Sequence, residues 1–320
     1  MKIRPLMFTL LSSLVVMMFT GIVAAQVDLS GNWGPRSDQD RAKDGPGPWP
    51  DEFAGIPLNA NGRAAGLTYP TNQGQELNRQ CEPWPITYIM VGPQGERFTP
   101  VHDHNGLVIA WHVGSTAYDR LQQTIWMNGH APPALRALHT YEGFTTGQWE
   151  GDTLHTTTTF IKDGYMERNG VPSSNQQTLD LFFTRHGDLM TLMGIVTDPV
   201  YLEAPWPLAR TLQLILGNNG NLAASGADEI LYCQPGEIVP SVADGYHTAV
   251  ELPPDAAKQA QFLEKTYNLP RAATDGGPQT MYPEFAKTVA PGYRPPSKYC
   301  QYLCCMATGR GVKAICEANE

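Results

Sequence analysis

The chain contains no G-x-S-x-G elbow, no P-loop and no G-x-G-x-x-G fingerprint. Serine-based hydrolysis and nucleotide chemistry lack the backbone signatures they depend on. Lys and Arg nowhere cluster, and the formal net charge is -9, which argues against nucleic acid and anionic lipid as partners. Beyond residue 25 no run is apolar enough to cross a membrane, and no repeat of solenoid period is present. No cysteine precedes Cys81, so the acylated cysteine of a lipoprotein is missing.

The single long apolar run lies at the start. Lys2 and Arg4 precede the stretch Leu6 to Val23, and Val23, Ala24 and Ala25 form a small-residue site before Gln26. This is the layout of a secretory signal peptide over residues 1–25. A membrane anchor is the rival, since the run is just long enough to span, but no basic stop-transfer cluster follows. The expectation is a periplasmic or secreted bacterial protein with no stable membrane span after cleavage.

Cysteine usage agrees with export. Cys81, Cys233, Cys300, Cys304, Cys305 and Cys316 all follow the cleavage site, and an even number in an oxidising compartment reads as disulfides. Cys304 and Cys305 are adjacent, and a bond between them would be strained, which leaves Cys300 and Cys316 to be shared between them. Cys81 and Cys233 would then close a long loop. A zinc site on C-x3-C-C-x10-C is the alternative, but no histidine stands nearby.

What is abundant is turn and strand chemistry: 31 glycines, 27 prolines, 13 tyrosines and 7 tryptophans. VDLSGNW reads as a short strand ending at Trp33, followed by an irregular stretch over residues 34–80. From residue 86 come ITYIMVG, ERFTPVH, LVIAWHVG, RLQQTIWM, YEGFTTGQW, TLHTTTTF, TLDLFFTR and LMTLMGIVT, each the length of one strand. TLQLILG and EILYCQ add two more. Asn105-Gly106 and Asn128-Gly129 mark hairpin bends. These elements predict an all-β protein, an antiparallel meander closing into a lipocalin-like barrel over 26–250. Residues 251–320 form an extension with a helix at Pro254–Tyr267, PDAAKQAQFLEKTY, and a disulfide-rich tail.

DLSGNW at 28–33, TIWMNG at 124–129, GFTTGQWEGDTL at 143–154 and DPVYLEAPW at 198–206 resemble a large family of exported bacterial proteins of unassigned function. The resemblance spans most of residues 28–210. It implies compartment and fold and carries no activity with it. Gly31-Asn32-Trp33 and Gly147-Gln148-Trp149 are also similar to the Gly-spacer-Trp of lipocalin-type barrels, where the indole plugs one end.

Two readings compete for Glu150-Gly151-Asp152: an acid pair, or a hairpin turn. The same grammar at His186-Gly187-Asp188, again between two strands, favours the turn. In the strand that follows, Leu154, Thr156, Thr158 and Phe160 are expected to point inward. His102 and His104 are two apart and His112 lies across the hairpin, a spacing able to hold a metal. Asn105-Gly106 places His104 at the bend itself, so a solvated polar turn is favoured and no metal or other cofactor is expected. His112, between Trp111 and Val113, is read either as a core histidine or as lining an interior cavity.

His112, His139 and Glu142 are the candidate proton-transfer groups, with Asp198 as a further one, although Asp198-Pro199 is also an ordinary turn start. Trp111, Trp126 and Trp149 fall on successive strands and would line a ligand pocket or pack in the core. Three functions follow. One is a cofactor-independent lyase, isomerase or hydrolase acting on a small apolar or aromatic molecule. The second is a protein that binds such a molecule unchanged, and the third an envelope interaction module. Convergence of His112, His139 and Glu142 on one pocket separates the first from the others.

Overall fold

The computed structural model describes residues 26–36, 53–66, 83–92, 95–115, 122–127, 129–130, 132–167, 170–215, 261, 264–265 and 270–289. The expected leader 1–25, all six cysteines, the expected strand at 229–234 and most of the expected helix 254–267 lie outside the described residues.

Eleven strands are formed among the described residues: β1 (Gly31–Pro35), β2 (Glu96–His102), β3 (Val108–Ser115), β4 (Gln122–Trp126), β5 (Phe144–Glu150), β6 (Thr153–Thr159), β7 (Gly164–Tyr165), β8 (Pro172–Ser173), β9 (Thr178–His186), β10 (Leu189–Thr197) and β11 (Trp206–Leu214). Nine of them close a barrel in the order β1-β11-β10-β9-β6-β5-β4-β3-β2, with β2 returning to β1, while β7 and β8 pair separately. Sequential neighbours pair all the way round, as in a meander. The protein is therefore an all-β barrel.

The hairpins sit where turn chemistry put them. Asp103 accepts from the backbone N–H of Asn105 and of Leu107, both at 2.9 Å, and Gly106 takes φ 81° between β2 and β3. Gly151 and Gly187 take φ 62° and 64° at the β5–β6 and β9–β10 bends, a region in which a side chain would be strained. Along β6 burial alternates, with Leu154, Thr156 and Thr158 inside. Phe160, also expected inside, instead leaves the strand at φ 56° and lies against His139.

The meander departs from expectation at one joint. An odd ring of strands cannot alternate direction all the way round, so at least one neighbouring pair must be parallel. That pair is β4 and β5, registered only at Ile125↔Thr145 and Trp126↔Thr146. A parallel pair needs a crossover in place of a tight turn, and residues 127–143 supply it.

ITYIMVG, read from sequence as a strand, is a 3-10 helix at Ile86–Met90 with all five residues buried. Pro85 precedes it at φ -58°, and Trp84 stacks on Tyr88 one turn on, with centroids 4.4 Å apart. Its C-terminal carbonyls would be orphaned in the interior. Arg210 of β11 answers this by donating from one guanidinium nitrogen to the carbonyls of Ile89 and Gly92. The helix enters the barrel beside β10, where Gly194 leaves room: a Cβ there would stand 2.6 Å from Met90 Sδ.

Packing fills the remaining interior. Trp33, Phe98, Trp111, Ile125, Leu154 and Phe183 are all but inaccessible to solvent. Phe98 meets Phe183 and Trp111 edge to face, at 5.2 and 6.3 Å between centroids. Trp33 donates from its indole to Leu29 O at 2.9 Å, and the Arg185 guanidinium lies 5.3 Å from its ring centroid.

Outside the barrel, α1 (Ala60–Gly66) is capped by Asn59, whose Oδ1 accepts from Gly62 N at 2.9 Å. Residues 270–289, with α2 (Arg271–Asp275) and α3 (Pro283–Val289), return to the segment before α1. Phe53 N donates to Ala273 O and Gly277 N to Ile56 O, at 2.9 and 2.8 Å.

Candidate functional site

The short β4–β5 contact opens the barrel wall. Past Thr146, β5 continues to Glu150 with β6 on one side and, among the described residues, no strand on the other. A groove of about 410 Å³ occupies this opening. Met127, Gly147 and Trp149 line it, together with Gln148, His155 and Thr157. Apolar and hydrogen-bonding groups thus face one space, as in many small-molecule sites.

The polar wall comes from strand register. Gln148 of β5 stands opposite His155 of β6, which stands opposite Phe182 of β9, while Thr157 faces Asp180. The His155 ring stacks on Phe182 with centroids 4.3 Å apart and 13° between planes. Its Nδ1 lies 2.9 Å from Glu150 Oε1 and its Nε2 lies 3.3 Å from Asp180 Oδ1. Thr157 donates to the same Asp180 oxygen at 2.6 Å, and Gln148 donates to Glu150 Oε1 at 3.1 Å. The hydrogen bond from His155 holds the Glu150 carboxyl below the usual glutamate range.

This cluster answers the question raised by Glu150-Gly151-Asp152. The triplet is a turn, yet Glu150 also has a chemical partner, and that partner is His155. Sequence alone offered one signal for it: across a two-residue hairpin turn, residues at 150 and 155 lie diagonally on the same face. Asp180 and Phe182 were not legible, because they come from a strand whose neighbour in sequence is β10.

The residues singled out from sequence have separate hydrogen-bond partners. His112 is exposed on the outer face of β3, with Nδ1 3.1 Å from Thr124 Oγ1, so it is neither a core histidine nor an interior one. The alternation that buries Trp111 and Val113 turns His112 outward. His139 lies in the crossover, half-buried, with Nδ1 3.0 Å from the Ile161 carbonyl. Glu142, in the same crossover, is also half-buried. Asp198 is buried and fully engaged. It accepts from Ser174 N (2.6 Å), Ser174 Oγ (2.8 Å), Val200 N (2.9 Å) and Tyr201 N (3.3 Å). No hydrogen bond or ion pair joins any two of these four among the described residues, and none of them lines the groove.

His102 and His104 are exposed around the β2–β3 bend. Among the described residues no group of three histidine, cysteine or acidic side chains is placed to hold a metal ion. The three tryptophans separate as well. Trp111 is buried inside the barrel, Trp126 stacks on His130 at 4.4 Å, and Trp149 alone lines the groove. Comparison with protein-family models, with curated proteins and with solved structures gave no match.

Proposed function

We propose that the protein is an exported small-molecule binding protein of the bacterial cell envelope, holding its ligand unchanged in the groove between β4 and β5. The observation that carries this reading is the groove itself: about 410 Å³, with Trp149 and Met127 beside Gln148, His155 and Thr157. Its volume suits a molecule of one or two rings. The aromatic and thioether surface favours an apolar or aromatic body, and the amide and hydroxyl groups favour a hydrogen-bonding edge.

Binding without conversion is favoured by the geometry of His155, which lines the groove. A general base needs a free nitrogen within reach of the proton it takes. Both nitrogens of His155 are directed at carboxylates, and its ring is fixed on Phe182. Of the residues in the acid-base reading, His112, His139, Glu142 and Asp198, none lines this groove.

Export is supported by the basic start, the apolar run and the Val23-Ala24-Ala25 site. The DLSGNW and GQWEGDTL motifs resemble those of the exported family in the same sense.

The test is a thermal-shift screen of aromatic, terpenoid and sugar compounds against the wild type and Trp149→Ala. Each hit is followed by mass spectrometry of the recovered compound. Hits lost in Trp149→Ala and recovered unaltered are expected. Hits indifferent to Trp149, or a recovered compound of changed mass, would overturn the reading.

A further inference from the structure

Behind the groove, the wall from β3 to β6 turns a polar layer into the barrel. Gln123 of β4 is 2% exposed and donates from Nε2 to Oγ1 of Thr145 at 2.6 Å and of Thr158 at 3.2 Å. Those two hydroxyls are 2.9 Å apart. Four buried polar atoms of this region have no partner among the described residues: Gln123 Oε1, Thr156 Oγ1 and Trp111 Nε1, with Trp149 Nε1 at the groove itself. Thr156 is the next inward residue along β6 from Thr158, and Trp111 stands opposite Ile125, the next inward residue along β4 from Gln123. Folded proteins leave few such atoms unpaired, and three on adjoining rungs point to an occupant.

The layer adjoins the groove. Thr156 is the register partner of Gly147, which lines the groove with Met127. Gly147 has no side chain to interpose. A Cβ there would meet Ile125 Cγ2 at 2.7 Å, Met127 Sδ at 3.0 Å and Leu154 Cδ1 at 3.2 Å. The side chains of Ile125, Met127 and Leu154 thus border the space beside Gly147. Methionine, unbranched and polarizable, is the side chain best able to yield.

We infer that this layer is the inner end of the ligand site, and that it takes an uncharged hydrogen-bonding group, an alcohol or a primary amide, at the head of an apolar molecule. The assignment rests on the groove reading above and adds the ligand's chemistry. Gln123 Oε1 accepts, Trp111 Nε1 donates and the Thr156 hydroxyl does either. None of the three carries charge, and Val113, Ile125, Leu179 and Leu181 around them are apolar and buried. A carboxylate or ammonium head would lose its hydration there without a countercharge from these groups.

Calorimetric titration of the full-length mature chain with 1-octanol, octanoate and octylammonium tests this, using wild type, Thr156→Val, Gln123→Leu and Trp149→Ala. Octanol is expected to bind the wild type at least tenfold more tightly than either ion. Thr156→Val and Gln123→Leu should each weaken octanol about tenfold, with Thr156→Ser restoring it. Circular dichroism and melting temperature establish that each variant is folded. Octanol affinity that falls in Trp149→Ala but is unchanged in Thr156→Val and Gln123→Leu would overturn the inner site and leave the groove standing. Failure of octanol to bind, or preference for either ion, also overturns it, and the groove is then decided by its own screen. Oxygen-17 relaxation provides the last arm: a long-lived water that persists under saturating octanol means that water fills the layer, and the ligand assignment falls.

Discussion

Nδ1 of His155 stands 2.9 Å from Oε1 of Glu150, across the turn made by Gly151 and Asp152. The relationship ties the end of β5 to the middle of β6, and through Asp180 to β9. A turn residue thereby acquires an electrostatic role that its neighbour Asp152 does not share.

The pair has a pH signature. Hydrogen bonding to His155 depresses the Glu150 carboxyl, so its contribution to stability is present above the ordinary glutamate range and is lost as pH falls through the depressed value. Carbon-13 NMR should find Glu150 titrating below the exposed glutamates, and His155→Phe should return it to the ordinary range. A midpoint unmoved by that substitution would dissolve the pair.

Glu96 behaves in the opposite sense. It is buried in the barrel wall opposite Trp33, and desolvation pushes its carboxyl up to about 8, with Arg210 opposing the shift. A raised acid binds more protons folded than unfolded. The stability it contributes is therefore full below the unfolded value and lost as pH rises through about 8. Urea midpoints of the wild type should decline from pH 5 to pH 9, and Glu96→Gln should flatten that decline. Parallel curves for the two proteins would refute this.

Asp198 is predicted to be a structural residue. Asp198→Ala strands the Ser174, Val200 and Tyr201 N–H groups, so a loss of about 2–4 kcal/mol is expected in chemical denaturation. Ligand affinity per folded molecule should be unaltered. A variant of wild-type stability that fails to bind would return Asp198 to the site.

Gly147→Ala should overpack the wall. The added methyl meets Ile125, Met127 and Leu154, at a cost of about 1–3 kcal/mol. Because Gly147 lines the groove, the same substitution should weaken any ligand that Trp149 contacts. Unchanged stability together with unchanged affinity would contradict the packing described.

His112→Ala is the control. The side chain is exposed and meets only Thr124 in the described structure, so stability should move by no more than about 0.5 kcal/mol. A loss several times larger would mean that His112 packs inside after all.

Much of the barrel was legible one strand at a time. The alternation in TLHTTTT put Leu154, Thr156 and Thr158 inside, and Asn105-Gly106, Gly151 and Gly187 marked bends that the backbone adopts. The same alternation should have turned His112 outward once Trp111 and Val113 were taken as core; its apolar neighbours hid that. ITYIMVG failed for a different reason. Five buried residues, four of them apolar, satisfy a strand and a short helix equally well, and the choice fell to Pro85 before them and Arg210 from a distant strand.

The candidate site was less legible. His155 alternates with the inward residues of β6, but its partners Asp180 and Phe182 sit on a strand reached only after β7 and β8. Asp198 looked catalytic because a buried carboxylate with four donors and an acid awaiting a substrate are written with the same letter.

By itself the sequence determined most of the strands, many of their inward and outward faces and the glycine bends, because these follow from period-two alternation and turn chemistry, which act within a few residues. The tertiary structure decided how the ring closes. An odd count of strands imposes a parallel joint, the short β4–β5 contact opens the groove, and register across β5, β6 and β9 gathers Glu150, His155 and Asp180. Those relations depend on which strands become neighbours, and no local pattern in the chain encodes that.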